Sequence, residues 1–186
     1  MKYLYIIIFF FITIAGNAQR STKYLEIINS IPVSNDSILY ESKFNNGKIR
    51  ESVILKYYKF AGKEYSFPVG KHTFYFKNND RNETVYDNFG ALMSHTAFDS
   101  NNRVYYQSNT IYVSTSASSI KEFLESDKHI TCVKEIKQYK FLKKSDRYFL
   151  YKEGLIKDGR KVGKWTTYFP DGSIKKEKQY KNVVQQ

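Results

Sequence analysis

The chain reads as a mainly β protein, an antiparallel meander of β-hairpins with one short helix near residues 119–126. Three observations predict this. Tyr and Phe supply 17 and 14 residues against a single Trp, and both suit pleated, half-buried surfaces. Turn signals such as Asn45-Asn46-Gly47 and Asp99-Ser100-Asn101-Asn102 separate alternating runs, with the spacing of roughly ten residues expected of short antiparallel strands. A hairpin-sized stretch also occurs twice.

Met1-Lys2 and the apolar run 3–15, broken only by Thr13, precede Gly16-Asn17-Ala18. Charge, apolar stretch and small-x-small site in that order predict a secretory signal peptide over residues 1–18, cleaved near Ala18. The run is shorter than the roughly 20 apolar residues of a spanning helix. No second such run follows, so the mature chain is expected to lack a transmembrane segment and to work in the periplasm, outside the cell or at its surface.

Residues 21–28 fit a short helix or a strand, ended by Pro32. Tyr40, Ser42 and Phe44 then alternate into Asn45-Asn46-Gly47, and residues 48–58 form the return strand. Strands at 70–76 and 83–86 flank a polar turn at 77–80. Asn88-Phe89-Gly90 turns the chain into 91–98, and the turn at 99–102 leads into Arg103-Val104-Tyr105-Tyr106. Residues 115–119 are small and polar, as in a linker. Two regions, 19–116 and 117–186, are therefore expected, or one continuous sheet through both. Ser119 and Glu122 have capping-box spacing, and Ile120, Phe123 and Leu124 share one face of a short helix.

The repeat aligns Gly70-Lys71-His72-Thr73-Phe74-Tyr75-Phe76 with Gly163-Lys164-Trp165-Thr166-Thr167-Tyr168-Phe169, identical at five of seven positions. Each copy continues through a turn into a polar strand ending in Tyr86-Asp87-Asn88 or Tyr180-Lys181-Asn182. Over about residues 152–182, with Gly163-Lys164-Trp165, Tyr168-Phe169 and Asp171-Gly172, the chain resembles the MORN-repeat variants of bacterial exported proteins. The match is degenerate over 70–102, where His72 stands for Trp and Asn79 for Gly. The resemblance implies a string of stacked hairpins, and since some members are antitoxin-like, an immunity or inhibitor role is a subordinate expectation. A single hairpin cannot bury its own rings. Trp165, Tyr168, Phe169, Tyr75 and Phe76 are therefore expected to form the core between repeats.

Thirty Lys and Arg against 18 Asp and Glu give a net charge of +12. Most of the excess lies after residue 133, where 15 basic residues meet 6 acidic ones. Dispersed lysines serve first as solvated faces and guards of strand edges. The alternative is a dedicated anion-binding face of Lys161, Lys164, Lys175, Lys176 and Lys178, for anionic lipid or glycan. Export sets nucleic acid aside.

The sequence carries no catalytic constellation. His72, His95 and His129 are at least 23 residues apart, and none has metal-ligand spacing to another His or to Cys132. His72, in the Trp position, is expected to pack on a ring. Cys132, in a β-like run three residues after His129, reads as a buried structural thiol. Asp80, Glu83 and Asp87 match no calcium loop. No cofactor or metal is implied. The function expected is a non-enzymatic module for protein–protein interaction at the cell envelope. Binding of anionic lipid or glycan is the alternative, and a hydrolase using His95 or His129 ranks last.

Overall fold

A computed structural model describes residues 18–32 and 36–181. The predicted signal peptide, apart from Ala18, lies outside the described residues. Along the chain run β1 (Gln19–Arg20), α1 (Thr22–Ser30), β2 (Ser37–Lys43), β3 (Ile49–Phe60), β4 (Lys63–Tyr75), β5 (Arg81–Tyr86), β6 (Leu92–Phe98) and β7 (Val104–Thr115). After them come α2 (Ile120–Glu125), β8 (Ile130–Leu142), β9 (Arg147–Lys157), β10 (Arg160–Tyr168) and β11 (Ile174–Tyr180). The strands from β2 to β11 form one sheet in which each pairs antiparallel with its neighbour in sequence, a meander. β7 pairs with β6 only as far as Asn109. Its later residues therefore leave an edge open, which β1 fills in parallel through Gln19↔Tyr112 and Arg20↔Val113. Neither described helix is long and apolar enough to cross a membrane.

The hairpins repeat one piece of backbone chemistry. The turns 44–48, 76–80, 87–91, 99–103 and 169–173 share a pair of hydrogen bonds. In each, the first residue's N–H donates to the fifth residue's carbonyl, and the fourth residue's N–H donates to the first. The fourth residue is left-handed in every copy: Gly47, Asn79, Gly90, Asn102 and Gly172, with φ from +62° to +87°. Gly adopts that conformation without strain and Asn tolerates it, which is why these turns were visible in the sequence. Two tighter turns were not. Ala61-Gly62 and Asp158-Gly159 are two-residue loops with positive φ throughout, so β4 begins at Lys63 rather than Gly70.

The leading segment is helical. Ser21 caps α1 by accepting the Tyr24 N–H at 3.1 Å, a bond of the kind that stabilises a helix start by about 1 kcal/mol. Ser119 caps α2 in the same way at 3.2 Å. Glu122 reaches back to the Ser118 N–H and hydroxyl, both at 2.7 Å, so the expected box closes one residue early. Both helices lie on one face of the sheet and bury Tyr24, Ile31, Phe123 and Leu124 against Tyr58, Ala91, Val113 and Ala117. Ala117 is fully buried, which corrects the linker expectation. Thr115 is buried as well, while Ser116, Ser118 and Ser119 are exposed, and the pairing of β7 with β8 joins the strands on either side of the segment in one sheet.

One carboxylate, Asp87, gathers several polar groups at this core. Asp87 Oδ1 accepts the N–H groups of Phe89 and Ala91 at 2.9 and 3.0 Å. Its Oδ2 accepts the Tyr24 hydroxyl at 2.7 Å and lies 3.6 Å from the Arg20 guanidinium. The Tyr58 hydroxyl donates to the Asn88 carbonyl at 2.5 Å. Burial, then the neighbouring Asp87 charge, raises the pKa of Tyr24 far above its usual value and pushes that of Tyr58 up to about 12.

The two copies of the sequence repeat are equivalent in three dimensions. Gly70 and Gly163 are both left-handed, φ +63° and +62°. Each follows a buried valine, Val69 or Val162, and each sits where the pairing to the preceding strand shifts. Gly70 pairs with Tyr86 as Gly163 pairs with Tyr180. Two rings then meet across each hairpin: His72 stacks on Tyr86 at 6.2 Å, and Trp165 meets Tyr180 edge-on at 6.5 Å. An ion pair recurs too, Lys71–Glu83 at 3.0 Å and Lys164–Glu177 at 2.5 Å.

Candidate functional site: a lysine-lined face of the last four strands

In β8–β11, register decides which side chains share a face. Ile136 pairs with Gly154, and Trp165 pairs with Lys178. Trp165 lies over Gly154, where an added Cβ would come within 2.4 Å of the indole. The missing side chain makes room for the ring, and the indole N–H donates to the Leu155 carbonyl at 2.9 Å. Although Trp165 lies outside the cluster that packs with the helices, it is only 2% exposed. Lysines cover it: the ammonium of Lys161 lies 4.6 Å from the ring and that of Lys152 lies 5.5 Å away. A cation over an indole contributes about 0.5–1 kcal/mol at such partly exposed sites.

Extending the register gives the whole face. Lys134 pairs with Ile156, and Ile156 with Lys161. Lys152 pairs with Thr167, and Thr167 with Lys176. By strand alternation, Lys134, Lys152, Lys161, Lys176 and Lys178 all stand on the Trp165 side. The described strand residues place no carboxylate there. Glu135, Glu153 and Glu177 point to the other side, where Glu177 pairs with Lys164, Glu135 lies 4.0 Å from Lys137, and Glu153 accepts the Tyr168 hydroxyl at 2.5 Å. That last bond, reinforced by burial, raises the Tyr168 pKa. Lys152 has a lowered pKa because its amine lies within hydrogen-bond reach of Lys161, with burial and the Lys161 charge adding to the effect. Two amines crowded over one ring make a site that an anion would stabilise.

The predicted lysines therefore divide. Lys161, Lys176 and Lys178 share the Trp165 face, Lys164 is on the opposite face, and Lys175 lies at the turn, 5.4 Å from the Phe169 ring. Lys134 and Lys152 complete the face and were missed, because they belong to strands outside the repeated hairpin. Of the five predicted core rings, Trp165 is buried and Tyr168 half-buried, whereas Tyr75, Phe76 and Phe169 are exposed. The correction has a simple cause. Phe76 and Phe169 open the five-residue turns and Tyr75 precedes one, where no neighbouring element covers the sheet.

The other candidates sit apart. His72 stacks on Tyr86 and lies 3.0 Å from Glu51. Thr84 meets His95 at 2.9 Å, and the His95 pKa is lowered by burial and by the Lys134 charge. His129 joins Ser116 and Glu122 by two contacts of 3.3 Å each. These are long for hydrogen bonds, and Ser116 is exposed and Glu122 half-buried. The contacts tie α2 to the start of β8. Cys132 packs on the core, and burial raises its pKa, the condition of an unreactive thiol. Asp80 and Asp87 lie in turns at opposite ends of β5. Among the described residues, no three metal-ligating side chains come together.

No family model matches the chain, and neither a curated protein nor a solved structure matches it.

Proposed function

We propose that this chain is an exported, non-enzymatic repeat module that engages another protein at the cell envelope through its β2 edge. The observation that carries the reading is the contrast between the two edges of the sheet. β11 reads Ile-Lys-Lys-Glu-Lys-Gln-Tyr, and its lysines guard it against a further strand. β2 reads Ser-Ile-Leu-Tyr-Glu-Ser-Lys. Ile38, Leu39 and Tyr40 stand in succession on it, all exposed, Leu39 at 62%. An edge with free main-chain groups and unguarded apolar side chains is what strand addition by a partner requires. The signal pattern of residues 1–18 supports export. The equal geometry of the two repeat copies supports the MORN-like reading, and an inhibitor role rests on that resemblance alone.

The test is site-specific photo-crosslinking in the envelope fraction, with the probe at Leu39 or at Lys178. A discrete adduct from Leu39, absent from Lys178 and abolished by Ile38→Lys, is the expected result. Equal labelling from both positions removes the proposal.

The one-sided lysine face favours a second reading, binding of anionic lipid or glycan. Affinity for anionic vesicles would then fall steeply with salt, since exposed charges are screened over about 10 Å at 0.1 M. It would also be lost on reversing Lys161 and Lys178 but not Lys164. Salt-insensitive binding excludes it.

A further inference from the structure

Alternate hairpin turns emerge at one end of the sheet. Between the first two of them, 44–48 and 76–80, lies a cavity of about 750 Å³, within the range of roughly 300–1,000 Å³ typical of small-ligand sites. It is remote from Trp165 in the strand order, and on β3 and β4 it lies at the opposite end from Tyr58 and Phe67, which pack with the helices. Four cationic side chains line it, Lys43, Lys48, Arg50 and Lys77, together with Phe74 and Phe76, and no carboxylate does. Among the described residues none of the four cations forms an ion pair, whereas Lys71 and Arg81 nearby are both paired with Glu83. The rings meet edge to face, centroids 5.1 Å apart at 71°. The Arg50 guanidinium lies 5.3 Å from the Phe74 ring, Phe76 and Tyr75 are exposed, and Phe44 also lines the cavity.

We infer that this cavity is a binding site for an acidic oligosaccharide, a sugar chain carrying carboxylate or sulfate groups. The charge favours an anionic ligand, because four exposed cations with no carboxylate among the lining residues give the cavity a positive potential. Arg50 offers a planar fork suited to a carboxylate or sulfate, and the lysines are point charges for a second group. Phe76 supplies one apolar surface, enough for the C–H face of a single sugar ring. A single-stranded nucleic acid would instead use open ring faces on which successive bases stack. Here Phe74 and Phe76 meet edge to face with Arg50 beside Phe74, and Tyr75 alternates to the other side of its strand, so these three successive rings do not form a parallel series. The site shares Lys43 with β2 but lies at the other end of that strand from Ile38, Leu39 and Tyr40, and it shares no residue with the lysine face, so its test is read independently of both.

The experiment is calorimetric titration of the purified protein with four probes: a heparin-derived tetrasaccharide, a tetragalacturonate, maltotetraose and an eight-nucleotide oligothymidine. The expected result is binding of at least one acidic tetrasaccharide and none of maltotetraose. Arg50→Gln and Lys77→Gln should each weaken that binding at least fivefold and Phe76→Ala at least threefold, while Lys161→Gln leaves it unchanged. Thermal melting of each variant, expected to match the parent, separates lost binding from lost folding. Three results would overturn the inference: no binding of either acidic saccharide, equal loss with Lys161→Gln, or tighter binding of the oligothymidine through the same residues.

Discussion

The indole of Trp165 occupies the space that a side chain at Gly154 would fill. A Cβ on Gly154 would stand 2.4 Å from Cδ2 and 2.6 Å from Cε2 of that ring, well inside van der Waals contact. The first repeat copy reaches the same end differently. Thr73 pairs with Ser52 as Thr166 pairs with Glu153, so Val53 holds the place of Gly154 and His72 the place of Trp165. A larger residue in one strand goes with a smaller ring in the next.

That exchange predicts a coupling. Gly154→Val should destabilise the protein by on the order of 1–3 kcal/mol through overpacking. Adding Trp165→His should recover part of the loss, so that the two changes are non-additive by about 1 kcal/mol or more. Urea denaturation followed by circular dichroism measures it. Strictly additive losses would show that ring and glycine do not share one volume.

Asp87 should be the costliest polar side chain to remove. Asp87→Ala leaves the Tyr24 hydroxyl and the N–H groups of Phe89 and Ala91 without their acceptor, a loss on the order of 3 kcal/mol. Tyr24→Phe should cost about 1–2 kcal/mol. A change below 0.5 kcal/mol for Asp87→Ala, roughly the size of an ordinary surface substitution, would contradict the network.

The buried tyrosines predict loss of stability at alkaline pH. The folded pKa values of Tyr24 and Tyr58 lie above the ordinary 10.0. Above that value the unfolded chain binds fewer protons than the folded one, so stability falls as pH rises. Their contribution is complete below pH 10.0 and, for Tyr58, is lost as pH rises toward about 12. Denaturation midpoints from pH 8 upward should decline less in Tyr58→Phe than in the parent. Parallel curves would refute the assignment.

Asp99 predicts the opposite behaviour in acid. Burial acts to raise its pKa. The N–H groups of Arg103 and Asn101 and the Arg103 guanidinium at 2.8 Å outweigh this and hold it below the ordinary 3.8. Its contribution is therefore present above 3.8 and lost as pH falls through the folded value. The stability gap between the parent and Asp99→Asn should be widest near neutral pH and should close in acid. A gap independent of pH would point to packing instead.

The hairpins were legible because their information is local. Asn45-Asn46-Gly47 or Pro170-Asp171-Gly172 fixes a backbone turn whatever lies nearby, and alternation on either side defines a strand. The Ala61-Gly62 turn escaped notice because Ala carries no turn signal. Helix α1 was ambiguous because residues 21–28 satisfy helical and extended patterns alike.

By itself, then, the sequence determined the class of fold, most of the turns, the second helix and the equivalence of the two repeat copies. Tertiary structure alone decided that Ala117 is core rather than linker, since α1, from a distant part of the chain, brings Tyr24 into the same cluster. It also decided which lysines act together. Alternation tells which residues of one strand share a side, but matching the sides of neighbouring strands requires their register. In the last four strands, pairing shifts after Val162, at Thr167/Tyr168 and at Gln138/Tyr139 set that register. They place Lys134 and Lys152 on one face with Lys161, Lys178 and Trp165, and leave Lys164 behind on the other face.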